Sequence, residues 1–327
     1  MTPFGSHSEY GVLREVVIGN ARDLTLPPFG GDLLHYNDEL RAALQATGNR
    51  PLAVADHFPG RWEKTCEQIE SIAAVYEQNG VTVHRLRAYT DAEKSCLSSL
   101  QPGVSQLYPA DPVFVIGAHF IEINIRRAYR RKEVFPIRDA VLPLLDGDPQ
   151  AHYAAMPAAR PWSPSGQGPG PFLEGGDILI VGRDLLVGVG SLCTNRAGVD
   201  WLARYVEPHG YAVHPMPIAG DILHALGVIC LLREGLAMAY LPALADGLPP
   251  PLKDWEVIEL TFEEMQAHAS VGVSLDSGRY MLDPRHRRVM EQLDRHGIEP
   301  LPTPCDALSY WGGAIRCVTL PLKRDPA

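Results

Sequence analysis

The residues of this chain whose types and spacing could do chemistry lie in four short stretches, each just ahead of an apolar run. Trp311-Gly312-Gly313-Ala314-Ile315-Arg316-Cys317 carries a thiol close to the C-terminus, behind a glycine pair. Phe172-Leu173-Glu174-Gly175-Gly176-Asp177 sets two carboxylates around a second glycine pair. Tyr108-Pro109-Ala110-Asp111-Pro112 adds a third carboxylate, and Asp221-Ile222-Leu223-His224-Ala225-Leu226-Gly227 adds an imidazole. A thiol becomes a nucleophile when an adjacent imidazole or cation favours the thiolate. Two carboxylates at one end of a site can grip a planar cation through forked, charge-assisted hydrogen bonds. Taken singly, each stretch has a plainer reading. A cysteine in an apolar run is usually a small core residue, an aspartate before proline makes an Asx-turn, and a histidine in an apolar setting is a hydrogen-bonded core side chain. What points to a Cys/His/carboxylate site is the joint placement of Cys317, His224, Glu174, Asp177 and Asp111 at the mouths of successive strands.

Those strands belong to units that recur. A helix, a glycine and a strand follow one another at Arg61–Asn79 with Gly80 and residues 81–86, at Val199–Pro208 with Gly210 and YAVHPM, and at Arg287–His296 with Gly297 and IEPLP. Between them lie pairs of short apolar strands joined by tight polar turns: Val113–Ile123, Ile178–Val189, Val228–Tyr240 and Val271–Leu282. Tyr10–Gly19 reads as a first strand, and Asp38–Ala46 as a short helix within an otherwise irregular stretch from 20 to 60 that has loop signals at Pro27-Pro28 and Gly30-Gly31. Repeated units of this kind cannot bury their own faces and must pack around a shared centre. The expectation is a single α/β domain over residues 1–327, built of pseudo-repeated ββαβ units closed in a ring with the chemical groups near its axis. A doubly wound parallel sheet fits less well, because hairpins are antiparallel and no G-x-G-x-x-G lies between a strand and a helix. Ala151–Pro171, rich in Pro, Gly and Ser, reads as a linker or an active-site flap.

Composition narrows the partners. The 327 residues are 46% hydrophobic and 21% charged, as in a globular protein with ample core, and the formal net charge is -10. That balance offers no footprint for nucleic acid or an anionic membrane, whereas a small cationic ligand suits it. No apolar run approaches the roughly 20 residues of a spanning helix, and Met1-Thr2-Pro3-Phe4-Gly5 has no leader pattern. A cytoplasmic location is expected. The six cysteines form no C-x-x-C pair and no zinc-spaced cluster. Neither metal nor disulfide framework is expected.

With these motifs in order, the sequence resembles the guanidino-group-modifying enzymes, and within them the amidinotransferases acting on glycine or inosamine phosphate. The resemblance runs from YGVLREVVIG through DPVFVIGAHFIE, RRAYRRKEVFPIRD, FLEGGDILIVGRDLLVGVG and SLCTNRAGVDWLARYV to GGAIRCVTL. It implies a five-bladed α/β propeller. It also implies that Cys317 is the nucleophile, His224 the acid/base and Glu174 the catalytic carboxylate, with Asp111, Asp177, Arg130 and Arg316 contacting substrate. The implied reaction moves an amidino group from arginine or an arginine-like donor to an amine, through a covalent thiouronium on the cysteine and with no cofactor. The N-terminal half favours the transferases, since the helix running into GVTVHRL and the spacing of Glu122, Arg130, Glu133 and Arg138 fit that subgroup. Oligomeric state stays open, a homodimer included.

Three departures bear on the substrate. The family often shows H-x-D after the histidine, but here it is His224-Ala225-Leu226. One hydrogen bond to a charge is worth roughly 1.5 to 3 kcal/mol, or about 10- to 100-fold in affinity, so the donor is bound differently or is not arginine. The carboxylate motif is E-G-G-D, the form of the hydrolases. Arg316 stands where the glycine enzyme has histidine. Two further readings follow: a hydrolase of arginine or a substituted arginine, and a non-catalytic member that binds a ligand.

Overall fold

Two apolar strands pair antiparallel across a tight turn, the chain passes through a helical connection, and a third strand returns parallel to the second. The computed structural model, in which residues 4–28, 37–48, 50–159, 169–190 and 192–327 are described, shows this arrangement four times in order along the chain. The hairpin Val113–Ile116 with His119–Glu122 receives His152–Ala155. Ile178–Val181 with Asp184–Val189 receives Ala212–Pro217. Ile229–Arg233 with Leu236–Ala239 receives Glu256–Glu259, and Val273–Asp276 with Arg279–Leu282 receives Glu299–Pro302. The fifth copy joins the two ends of the chain. Leu13–Ile18 pairs antiparallel with the C-terminal strand Thr319–Arg324 and parallel with Thr82–Arg85. Small sheets of one topology, with the first and last strands of the chain sharing a sheet, are a mixed α/β architecture consistent with the blades expected from the repeats.

The hairpin strands are mostly apolar because both of their sides are covered. All residues of Val113–Ile116 and His119–Glu122 are buried, and the connecting helices are amphipathic. Arg196–Val206 buries Val199, Leu202 and Val206, and the Asn195 side chain caps it by accepting from Gly198 N. Pro59–Gln78 buries Ile69, Ile72, Ala73 and Tyr76. No helix among the described residues is long and apolar enough to cross a membrane.

Three features depart from the sequence reading. Val134–Asp146 is a helix despite two prolines: Pro136 lies in the first turn, where its missing N–H has no intrahelical role, and Pro143 lies inside the helix, which forgoes one i→i−4 hydrogen bond there. Asn20–Leu26 is a strand, paired with Leu52–Ala53 and Val104–Gln106 in an additional sheet. Its register breaks between Asn20 and Thr25, and Asp23 has a positive φ of 57°, which hides the alternation. The apolar run after Gly312-Gly313 is a turn and not the start of a strand. Cys317 N and Val318 N both donate to Ala314 O, at 3.1 and 3.2 Å, and the strand begins only at Thr319. The Gly30-Gly31 loop signal and residues 160–168 of the expected flap lie outside the described residues. Within the same stretch, His152–Ala155 is the third strand of the sheet that begins at Val113.

Candidate active site

Asp111, Glu174, His224 and Cys317 each sit just ahead of a strand, at corresponding places in successive sheets. Their backbones are tied together. Gly175 N donates to Asp111 O at 2.8 Å, and Ala225 N donates to Asp177 Oδ1 at 2.8 Å. The His224 Nε2 and Glu174 Oε2 atoms are 2.8 Å apart, with Glu174 fully buried. Glu174 Oε1 accepts from Arg126 N at 3.0 Å. The glycine pair between the carboxylates explains itself sterically: a Cβ on Gly175 would stand 2.0 Å from Ala110 O, and one on Gly176 would stand 2.5 Å from His224 Nδ1. The imidazole lies directly over that backbone. Gly176→Ala is therefore expected to push the ring aside, and a displacement of about 1 Å at a reacting group costs on the order of 100-fold in rate. Steady-state turnover of a guanidine by this variant checks it.

Asp111 is oriented by Arg130. The guanidinium donates from Nη1 to Asp111 Oδ2 at 2.8 Å and from Nε and Nη2 to the two Glu133 oxygens, each at 2.8 Å. All three side chains are buried. That leaves Asp111 Oδ1 buried with no hydrogen-bond partner, 3.9 Å from His224 Nδ1. An unpaired carboxylate oxygen in such a place is unusual unless a ligand completes it.

Cys317 joins them at a cavity. A small space of about 30 Å³ is lined by Asp111, Arg130, His224, Trp311 and Cys317, among others. A larger one of about 760 Å³ shares Leu223, His224, Gly312 and Cys317 with it and extends past Asp221, Leu226, Tyr240 and His268. The turn that carries the thiol fits closely here. A Cβ on Gly313 would lie 2.6 Å from the Tyr108 ring, and Gly312 has φ 89°.

Two expected substrate contacts are elsewhere. Asp177 offers its carboxylate to backbone, accepting from Ala225 N at 2.8 Å and Thr194 N at 3.4 Å, and lines neither cavity. It holds the chain after His224 in place. Arg316 turns away from Cys317. It donates to Thr319 O at 3.1 Å, stands 3.5 Å from Glu9, and lines separate small cavities with Arg324. Successive residues of this turn project to opposite sides, so a cation next to the cysteine in sequence is not in its cavity. Leu226, where the H-x-D pattern has aspartate, is buried and lines the larger cavity, so its wall is apolar there.

Cys193 was not anticipated. Its sulfur, the His224 imidazole and the Glu174 carboxylate form a group, among the described residues, with donor atoms within 4.8 Å of one another, a spacing that could suit a metal. Two observations oppose a cation there. His224 and Glu174 already bond each other, and the Arg127 guanidinium approaches Cys193 Sγ at 3.9 Å. The neighbouring Thr194 hydroxyl accepts from Glu174 N at 3.1 Å. Both residues lie in SLCTNRAGVDWLARYV, which the resemblance included without giving either of them a role.

Burial and charge compete throughout the site. Burial pushes Glu174 up, but the bond and charge of His224, with Arg127 and Arg130, bring it down to about 2. Burial opposes the His224 imidazolium, whereas Cys193, Asp111 and Glu174 hold it, and its pKa stands well above the ordinary value. Burial, then Asp111, push the Cys317 thiol up to about 11 against His224 and Arg316. Burial likewise raises Asp177 to about 6 and Cys193 to about 11. The site at neutral pH is thus a carboxylate–imidazolium pair beside a neutral thiol.

The chain has known relatives. The chain is 28% identical to a putative inosamine-phosphate amidinotransferase 2 of Streptomyces griseus, the alignment covering 100% of this chain and 98% of that protein. The structure of an inosamine-phosphate amidinotransferase from Streptomyces griseus superimposes with a TM-score of 0.80 at 21% identity, over 100% of this chain and 98% of that one. A dimethylarginine dimethylaminohydrolase structure superimposes with a TM-score of 0.63 at 16% identity, over 95% of this chain and 100% of that one. No protein-family model matches the sequence. The chain is an amidinotransferase-like protein, as the ordered motifs led one to expect.

Proposed function

We propose that this amidinotransferase-like chain, a five-bladed α/β propeller, transfers an amidino group from arginine or an arginine-like guanidine to an amine through a thiouronium on Cys317. The observation that carries the reading is the unpaired Asp111 Oδ1, buried beside His224 at a cavity that Cys317 also lines. A guanidinium N–H is the natural partner for that oxygen.

The steps follow from the side chains. The donor cation enters and gives one N–H to Asp111. With that cation and the His224 imidazolium close by, the Cys317 thiol releases its proton to solvent and the thiolate attacks the guanidinium carbon. An S–C bond forms. His224, aligned by Glu174, donates its proton to the departing nitrogen as the C–N bond breaks, so the amine leaves neutral and the amidino group stays on sulfur. The acceptor amine then enters, the now neutral imidazole takes its proton, a new N–C bond forms, and the C–S bond breaks to restore the thiolate.

The test is product analysis. With arginine and an amine panel, ornithine release should depend on the amine and match the guanidinylated product mole for mole. Citrulline or urea formed from arginine without amine would replace this reading by the hydrolase, in which water discharges the thiouronium. That second reading rests on the E-G-G-D motif and the apolar wall at Leu226.

The protonation states make a further prediction. Because the free thiol stands at about 11, alkylation of Cys317 by iodoacetamide should be slow at neutral pH and rise about tenfold per pH unit up to the alkaline range. Saturating donor should accelerate thiolate formation but block access. Peptide mass spectrometry of Cys317 labelling against pH checks it, and a rate already flat at neutral pH would contradict the raised pKa.

A further inference from the structure

His268 occupies a place where helices usually end in glycine. The short helix Phe262–Gln266 is closed by Ala269 N donating to Glu264 O at 2.9 Å and His268 N donating to Met265 O at 3.0 Å. This is the Schellman pattern, and its left-handed residue is His268, with φ 65°. Glycine adopts that conformation without penalty, whereas any side chain with a Cβ does so under strain. Among the described residues Asp23, Leu97 and His268 are the non-glycine residues with positive φ, and of these His268 lines the cavity that holds Cys317 and His224. Strain at such a position persists where the side chain has a use.

The ring itself is unpartnered. Nδ1 is buried with no hydrogen-bond partner, and no bond from the ring to a described residue is present. Half-buried as a whole, the side chain can offer the cavity one polar atom, Nε2. Burial, with Arg285 and His286 adding, lowers its pKa to about 4, so the imidazole is neutral. With Nδ1 bare of a proton, the neutral ring carries its proton on Nε2 and can donate it to a ligand oxygen.

We propose that His268 contacts substrate, donating from Nε2 to an oxygen, carboxylate or hydroxyl, on the body of the molecule whose amine leaves or attacks at Cys317. The inference rests on reading the cavity as the guanidine and amine site. In ping-pong transfer the departing and arriving amines occupy the same channel in turn, so one residue selects both. His268 thereby favours oxygen-bearing guanidines over those whose tail is only cationic.

The test uses His268→Gly, which suits the backbone, in the full chain. Its melting midpoint should stay level or rise by about 2 °C as strain is relieved. In the unreactive Cys317→Ser background, calorimetry with arginine, agmatine and 4-guanidinobutan-1-ol separates the tails. Adding His268→Gly should weaken arginine (carboxylate) or the butanol (hydroxyl) roughly tenfold and leave agmatine unchanged. Equal weakening of all three, no weakening, or no binding of any of them to the Cys317→Ser protein would overturn the proposal. So would a midpoint several degrees lower, which would make His268 a packing residue. Should binding depend on His268 while wild-type protein never acquires an adduct on Cys317, the transfer reading fails and this one stands.

Discussion

Cys317→Ser protein, incubated with any guanidine that modifies the wild type, should keep its unmodified mass, and its turnover should fall by on the order of 10⁴-fold or more. The wild type should gain one amidino group on Cys317. Serine nearly matches the thiol in volume, so the turn from Ala314 to Val318 is expected to survive and the melting midpoint to move little. The chemistry does not survive the exchange. A thiol displaced to about 11 still yields a thiolate when a cation binds beside it, whereas a hydroxyl lies far above that range and is a poor nucleophile and a poor leaving group. Intact mass before and after donor, followed by peptide mapping, decides the matter. An adduct on Cys193, or unchanged turnover, would refute the assignment of the nucleophile.

His224→Asn should have the next largest effect, lowering turnover about 10²- to 10⁴-fold by removing the proton donor and acceptor. It should also destabilise the fold, for a reason independent of catalysis. Glu174 is fully buried, and its imidazole partner is 2.8 Å away. Without that partner a buried carboxylate is left poorly compensated, at a cost of about 3 kcal/mol. Adding Glu174→Gln removes the charge, so the double variant should regain much of the stability and none of the activity. The acid limb provides a second check. Glu174 in the folded protein, at about 2, lies below its ordinary value of 4.5, so its contribution is present above that value and is lost as pH falls towards 2. In His224→Asn that part of the acid limb should flatten. Chemical denaturation between pH 5 and about 2 measures it. A double variant no more stable than His224→Asn would show that the pair is not the source of the loss.

Much of the repeat was legible because hairpin turns and helix-ending glycines are local signals. Gly182 and Gly235 take positive φ in their turns, at 60° and 78°, and the flanking apolar runs became the strands read from them. The strand Asn20–Leu26 was not legible, because a register break and the left-handed Asp23 erase the alternation. The helix Val134–Asp146 was obscured by its two prolines, of which Pro136 fits the first turn and Pro143 is tolerated inside the helix.

Which residue types the site contains, and that they recur ahead of successive strands, can be read along the chain, since motif, spacing and turn chemistry are properties of neighbours. Cys317, His224, Glu174 and Asp111 were all readable in that way. Tertiary structure alone decided which atoms face one another. Packing between sheets sent Asp177 to backbone N–H groups and Arg316 towards Glu9, brought Arg130 and Glu133 around Asp111 so that one oxygen stayed unpaired, and placed Cys193 beside His224. Direction across a turn, and the partner a buried charge finds, depend on which segments the fold brings together, as it brings Glu9 to Arg316 and Asp177 to Ala225, and no local pattern records that.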